Sequence, residues 1–263
     1  MKIVGFRAKK TGKNVRRSVW QIACVALAVW LVAFFAIRLT FFGSIPTSAP
    51  RSLPIYSVDR QEKKLSISFD CAWGVEYTDQ ILKTLDRHGV KCTFFAVQFW
   101  VEKYPEYAKR IVEAGHELGT HSKTHPYMSK LTKTQIEEEL SLSSQAIERT
   151  VGIKPTLFRP PYGDYNNLVI DTAKELGLYS IQWDVDSLDW KNLSATEISL
   201  RVINATKSGS IILCHNNGLH TAEALPTIFS TLQNRGYEFV PVGQLVYREN
   251  YVIDPTGRQK TNA

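Results

Sequence analysis

Between residue 63 and about residue 245 the chain alternates short β-rich runs with amphipathic stretches that mostly close at glycine, and few folds accept that rhythm. The runs "KLSISFD" (64–70), "KCTFFAV" (91–97), "HELGTH" (116–121), "TLFRP" (156–160), "YSIQWDVD" (179–186), "GSIILCHN" (209–216) and "YEFVPV" (237–242) read as strands. Helices are expected over Thr78–His88, Tyr104–Ala114, Thr132–Thr150, Leu168–Leu176, Thr196–Ala205 and Ala222–Asn234. Thr132 with Gln135 three residues on has the spacing of a capping box. Strand–helix alternation of this kind implies a parallel sheet. Seven units in this span fit a compact, incomplete (β/α) barrel better than an open sheet.

The net charge of +7 at first suggests a nucleic-acid binder. Residues 1–42, however, hold eight of the 32 Lys+Arg and no acid, so the remainder is close to neutral and carries no footprint for nucleic acid. Val19–Ile37, "VWQIACVALAVWLVAFFAI", has Gln21 as its one polar residue. At helical rise it covers roughly 28 Å, close to the hydrocarbon thickness of a bilayer. Lys9, Lys10, Lys13, Arg16 and Arg17 precede it, which favours a cytoplasmic N-terminus. The domain plan is therefore a basic cytoplasmic segment (1–18), a transmembrane anchor (19–42), a Pro/Ser-rich linker (43–62), the alternating strand–helix domain (63–250) and a polar tail (251–263). A cleaved signal peptide is the alternative for the apolar run, and both routes place the domain outside the cytoplasm. With Cys24 inside the span, Cys71, Cys92 and Cys214 remain, an odd number that is no disulfide framework.

Polar groups gather where strands end. Asp70 closes the first strand and His121 follows the third. Arg159 closes the fourth, Asp184 and Asp186 the fifth, and His215 ends "IILC". In a parallel barrel these ends open on one rim, where barrel active sites are built. His121 and His125 in "HSKTH" have a spacing found in zinc sites, although such a pair alone is more often coincidence. "RPPYG" (159–163) is a rigid loop, and its arginine has the fork geometry that grips a carboxylate.

Taken in order and spacing, "SFDCAWG", "HSKTH", "RPPYG", "DVDSLDW" and "ILCHN" resemble the polysaccharide deacetylases, the NodB-homology group or carbohydrate esterase family four, over about residues 63–245. The anchor and the "FDCAWG" variant look most like the sporulation-associated PdaB-like branch. The resemblance implies a distorted β/α barrel that removes N-acetyl groups from amino-sugar polymers such as peptidoglycan or chitin. By motif it makes Asp70 the general base, His121 and His125 metal ligands, and Arg159 the group that orients the base. Tyr162 would offer its backbone N–H to the oxyanion, and Leu213 would line the acetyl pocket. His215 would be the general acid, tuned by Asp189, with Asp186 the competing assignment. Trp190 and Trp73 would contact substrate, and a divalent metal, zinc by ligand type, would be the cofactor. Such chemistry needs a base for the water, donors for the oxyanion and an acid for the amine.

One departure stands out. Cys71 occupies the place of the family's second aspartate, a metal ligand, and Asn216 replaces the aspartate of the usual "HD". Three accounts of Cys71 are open: a thiolate ligand, inert packing with a weakly held ion helped by Glu76 or Asp79, or no metal at all. Packing is preferred, because "AW" makes the surroundings apolar. Beside a membrane-anchored deacetylase stand two other readings, a glycan-binding protein that has lost full activity and a barrel glycosidase using Asp70 and Asp186. The glycosidase leaves the histidines unexplained.

Overall fold

The computed structural model describes residues 12–42 and 51–262. The chain divides after Arg51 into two units. The first contains one helix, α1 (Gly12–Phe42). Its Val19–Ile37 stretch, of mean hydropathy 2.3, is long and apolar enough to cross a bilayer. Lys9, Lys10 and linker residues 43–50 lie outside the described residues.

In the second unit the elements follow in the order β1 (Ser57–Val58), β2 (Lys64–Cys71), α2 (Thr78–Arg87), β3 (Thr93–Ala96), α3 (Gln98–Lys103), α4 (Pro105–Glu113) and β4 (Glu117–Thr120). Then come α5 (Lys133–Val151), β5 (Leu157–Phe158), α6 (Asn167–Glu175), β6 (Tyr179–Ser180), β7 (Val185–Asp186), α7 (Ala195–Ala205) and β8 (Ile211–His215). The chain finishes with α8 (Thr221–Asn234), β9 (Glu238–Phe239), α9 (Val242–Leu245), β10 (Tyr251–Ile253) and β11 (Arg258–Thr261). The main sheet runs β6-β5-β4-β3-β2-β8-β7, with β9 added to the start of β2, and every pairing is parallel. This is the curled, incomplete half-barrel that the alternation implies. Thr132 and Gln135 do form the capping box of α5, and Gly152 closes that helix in the left-handed region.

Four local expectations change. The run read as one strand over 179–186 is two strands on opposite edges of the sheet, because β6 pairs with β5 and β7 with β8. The chain crosses the barrel's open side within residues 181–184, and Ile55 bridges Ile181 there. An extra helix, α3, precedes the one expected from Tyr104, with Pro105 starting the second. Residues 55–58, read as linker, join the folded unit: Ile55 and Val58 are buried, and the amide of Val58 donates to the carbonyl of Gly209 (2.8 Å). Residues 251–261, read as a polar tail, supply β10 and β11, which form a three-stranded sheet with β1. β1 and β10 are only two and three residues long and β11 is polar, so hydrophobic periodicity alone does not reveal them.

Strand alternation sorts β2 into two faces. Leu65, Ile67, Phe69 and Cys71 join the apolar layer beneath the outer helices, with Leu85, Trp100, Val202 and Phe229. Ser66, Ser68 and Asp70 take the opposite face, that of the barrel interior. There Ser66 and Ser68 donate to the carbonyls of Val240 (2.5 Å) and Ile212 (2.7 Å), so both buried hydroxyls are paired. Ile55, Phe95, Leu157, Ile181 and Ile211 belong to a second apolar cluster. Gly119 on β4 has no room for a side chain, since a Cβ would lie 2.7 Å from the Phe95 ring.

Candidate active site

The register places the first two groups. Asp70 on β2 is the direct partner of His215 on β8, so the carboxylate and imidazole leave neighbouring strands on one face. Two residues deeper, Leu213 pairs with Ser68 and with Asp186, and its side chain is buried.

Asp70 is clamped. Its Oδ1 accepts from Nη1 of Arg159 (2.9 Å), and its Oδ2 lies 3.5 Å from Nε2 of His121. Burial alone would push this carboxyl up. The Arg159 guanidinium, with smaller help from His121 and His215, outweighs burial and holds Asp70 below the usual carboxylate range. Arg159 is fully buried, rests 4.2 Å over the Phe95 ring and 5.6 Å from that of Trp183, and donates a second bond to the carbonyl of Gln182 (3.2 Å). Phe95, Gln182 and Trp183 thus fix the arginine. No motif in a single sequence marks them.

The second cluster is the pair His215–Asp189. Asp189 is fully buried in the turn Asp189–Lys191. Its Oδ1 accepts from Nδ1 of His215 (2.7 Å), and its Oδ2 accepts from the His215 amide (2.7 Å) and from Thr221 Oγ1 (2.6 Å). Burial favours the neutral imidazole, but the Asp189 hydrogen bond and charge outweigh it and raise the His215 pKa. Burial likewise pushes Asp189 up, and its bond to His215 brings it below the ordinary value. Of the two competing carboxylates, Asp189 is the one hydrogen-bonded to His215, while Asp186 Oδ1 accepts from the Leu188 amide (2.9 Å). Asp184 does not join the rim. Its carboxylate accepts from Ile211 N (2.9 Å) and Ser210 Oγ (3.1 Å), at the start of β8 rather than its end.

The histidine pair sits beside Asp70. His121 Nδ1 donates to the Arg159 carbonyl (2.7 Å), which leaves Nε2 as a lone-pair donor facing Asp70. His125 packs edge-on to His121, with ring centroids 4.9 Å apart, and its buried Nδ1 has no hydrogen-bond partner. Burial, then the neighbouring His121, pulls the His125 pKa down to about 4. Both imidazoles are thus neutral donors at pH 7. Ser122 (φ 71), His125 (φ 60) and Tyr162 (φ 59) hold left-handed backbone conformations, costly for residues with a Cβ and concentrated here. Tyr162 lies 4.5 Å from His125 and stacks on Tyr127 at 4.4 Å, while Trp73 meets His125 at 5.0 Å. Trp190, in the turn of Asp189, is exposed.

The donors do not complete a three-ligand metal centre. Cys71 lies in the apolar layer under the helices, and the polar contact of its thiol is the Phe69 carbonyl (3.9 Å). Burial, then the charge of Asp70, pushes that thiol well above its usual range, so it is no thiolate. Asp79 is taken by Arg110 (2.6 Å) and Glu76 is exposed. Among the described residues no group of three or more His, Cys, Asp or Glu side chains is arranged to hold a metal ion. Zinc chemistry ordinarily rests on three protein ligands, and here His121 and His125 alone are poised.

A parallel half-barrel carrying a clamped carboxylate and a carboxylate-backed histidine on one rim defines a hydrolase-type site. Residues 57–181 match the polysaccharide deacetylase family, and by this and its relatives the chain belongs to that family, although it spans only 46–60% of the length of several curated relatives it matches. The chain is 37% identical over 193 residues to the uncharacterized protein YlxY of Bacillus subtilis, covering 73% of this chain and 60% of YlxY. It is 34% identical over 202 residues to a peptidoglycan-N-acetylglucosamine deacetylase of Bacillus cereus, covering 75% of this chain and 94% of that protein. Among solved structures, BA3943 of Bacillus anthracis is described as a pseudoenzyme of carbohydrate esterase family four. It superposes with a TM-score of 0.71 at 35% identity, over 73% of this chain and 68% of its own. A mutant of BA3943 is described as having restored enzymatic activity.

Proposed function

We propose that this protein is a membrane-anchored, extracytoplasmic hydrolase that removes N-acetyl groups from an amino-sugar glycan, with peptidoglycan of the wall or spore cortex, or a chitin-like oligomer, as substrate. The observation that carries the proposal is the register pairing of Asp70 with His215, each with its own charged partner, Arg159 and Asp189. Asp70, kept ionised, accepts a proton from the water that attacks the acetamide carbon. The C–N bond breaks as the imidazolium of His215 delivers a proton to the departing amine, leaving acetate and a free amino sugar. Arg159 positions the base. Tyr162 is placed to donate to the oxyanion from its backbone, Leu213 to line the acetyl pocket, and Trp73 and Trp190 to flank the sugar. Zinc, implied by the resemblance, would find two protein ligands here, His121 and His125. The PdaB-like placement rests on "FDCAWG" and the apolar helix. The extracytoplasmic location rests on the basic residues ahead of that helix, and protease added to intact protoplasts should remove the domain. Acetate release from N-acetylglucosamine oligomers by the full chain, with and without added zinc, is the direct assay.

A second reading follows from Cys71. A residue that packs in the core where a ligand is expected fits a glycan-binding protein with weak or no turnover, and BA3943, a similar chain, is described as a pseudoenzyme. No acetate from any substrate, with oligomer binding intact, would select this reading over the first.

A further inference from the structure

The two histidines of "HSKTH" are held by different means. His121 is fixed twice: its amide donates to the Ala96 carbonyl (2.9 Å), which prolongs the pairing of β3 with β4, and its Nδ1 donates to the Arg159 carbonyl (2.7 Å). The buried Nδ1 of His125 has no hydrogen-bond partner. Where that ring stands is therefore set by the backbone of residues 122–125. This backbone is costly, because Ser122 (φ 71) and His125 (φ 60) both lie in the left-handed region.

The amides of the loop show what holds it. Ser122 donates to Thr120 Oγ1 (3.2 Å), and His125 donates to Ser122 Oγ (3.0 Å). The two amides between them, of Lys123 and Thr124, both donate to one oxygen, Oε2 of Glu139, at 2.8 Å each. Oε1 of the same carboxylate accepts from Thr124 Oγ1 (2.6 Å). Successive backbone amides turned to one side make an anion-binding concavity, and here a side chain of the protein fills it. Glu139 reaches the loop from α5, whose Ile136 and Leu140 are buried. One turn further along the helix, Ser143 is hydrogen-bonded to Thr120, the residue whose hydroxyl takes the Ser122 amide. The adjacent Glu138 differs: it pairs with the Lys123 ammonium (2.7 Å), a surface ion pair of little weight.

We propose that Glu139 is a positioning residue of the site: its carboxylate clamps the backbone of residues 123 and 124 and so sets His125 edge-on to His121 beside Asp70. The consequence for turnover rests on the deacetylation reading above, whereas the loop geometry does not.

The test uses the solubilised full chain with no metal added. Hydrogen exchange reads the Lys123 and Thr124 amides, NMR at fixed pH reads the rings of His121, His125 and His215, and acetate release is followed in parallel. In Glu139→Ala the two amides should exchange roughly ten- to a hundredfold faster, the equivalent of the charge-assisted bonding removed. The His125 ring signals should shift, because Tyr162 and Trp73 no longer meet that ring at fixed distances. His121 should shift far less, and an unchanged His215 shows that the variant is folded. Glu139→Gln should behave like the parent, since its carbonyl oxygen can take both amides while its NH2 donates to the Thr124 hydroxyl. Glu138→Ala should leave loop and rings as they are. Acetate release should fall by roughly ten- to a hundredfold in Glu139→Ala and return in Glu139→Gln. Unchanged amide exchange, equal shifts of His121 and His125, a Gln variant as loose as Ala, or an equal effect of Glu138→Ala overturns the clamp, as does full acetate release with His125 displaced. The expected exchange and ring shifts, in a parent that releases no acetate, sustain the clamp and remove the deacetylation reading alone.

Discussion

Replacing Asp189 by asparagine tests the histidine–carboxylate pair without relying on turnover. Asp189 accepts three hydrogen bonds, from the His215 amide, from His215 Nδ1 and from Thr221. Asparagine offers one carbonyl oxygen and one NH2 group. Its best placement keeps the oxygen on the His215 amide and Thr221, and turns the NH2 toward Nδ1. His215 must then accept at Nδ1 and carry its proton on Nε2 as a neutral ring. One charge-assisted hydrogen bond, about 1.5–3 kcal/mol, is exchanged for a neutral one of about 0.5–1.5 kcal/mol. The expected loss of unfolding free energy is therefore about 1–2 kcal/mol. It also depends on pH. The raised pKa of His215 contributes stability that is full below the unfolded value of about 6.5 and fades as pH rises through the folded value. The lowered pKa of Asp189 contributes stability that is full above about 3.9 and fades as pH falls through its folded value. The gap between wild type and variant should thus be widest between about pH 4 and 6.5. Urea unfolding across pH, with an NMR titration of the His215 ring, reads both quantities. The variant's ring should titrate below the wild type's. An unchanged His215 titration, with a stability gap flat in pH, would refute the pairing as the source of the raised pKa.

Asp70→Asn should lower acetate release by about 10²–10⁴-fold. It also leaves the buried Arg159 guanidinium unpaired, so a stability loss of about 3–5 kcal/mol should appear in the same urea experiment. The rate of acetate release should be bell-shaped in pH, with its acid limb below the ordinary carboxylate range and its alkaline limb above about 6.5. A limb reversed from either direction contradicts the assigned roles. Cys71→Ala should cost roughly 1 kcal/mol through lost packing and leave zinc content and acetate release unchanged. Loss of bound zinc in a folded alanine variant would make the thiol a ligand after all. Gly119→Ala should lower stability by about 1–3 kcal/mol, since the new methyl group meets the Phe95 ring that supports Arg159. A thermal midpoint equal to wild type would contradict that close approach.

Local patterns were enough for much of this protein. Periodicity and glycine stops placed the helices of the barrel within a few residues, and the capping box at Thr132 followed from four residues of sequence. The position of Asp70, Arg159 and His215 at strand ends was also local information, because a parallel sheet brings its C-terminal ends to one rim whatever the loops do. Other features depended on partners far along the chain. The split of residues 179–186 between two sheet edges, the burial of Ile55 in the open side, and the pairing of residues 251–261 with β1 come from long-range hydrogen bonds that leave no periodic trace. The choice of Asp189 over Asp186 required knowing which carboxylate turns toward His215, a matter of one left-handed turn at Leu188. Cys71 was the same kind of question. The sequence left three accounts of it open, with packing preferred; adjacent residues on a strand point to opposite faces, and the packing of helices on one of those faces makes Cys71 core.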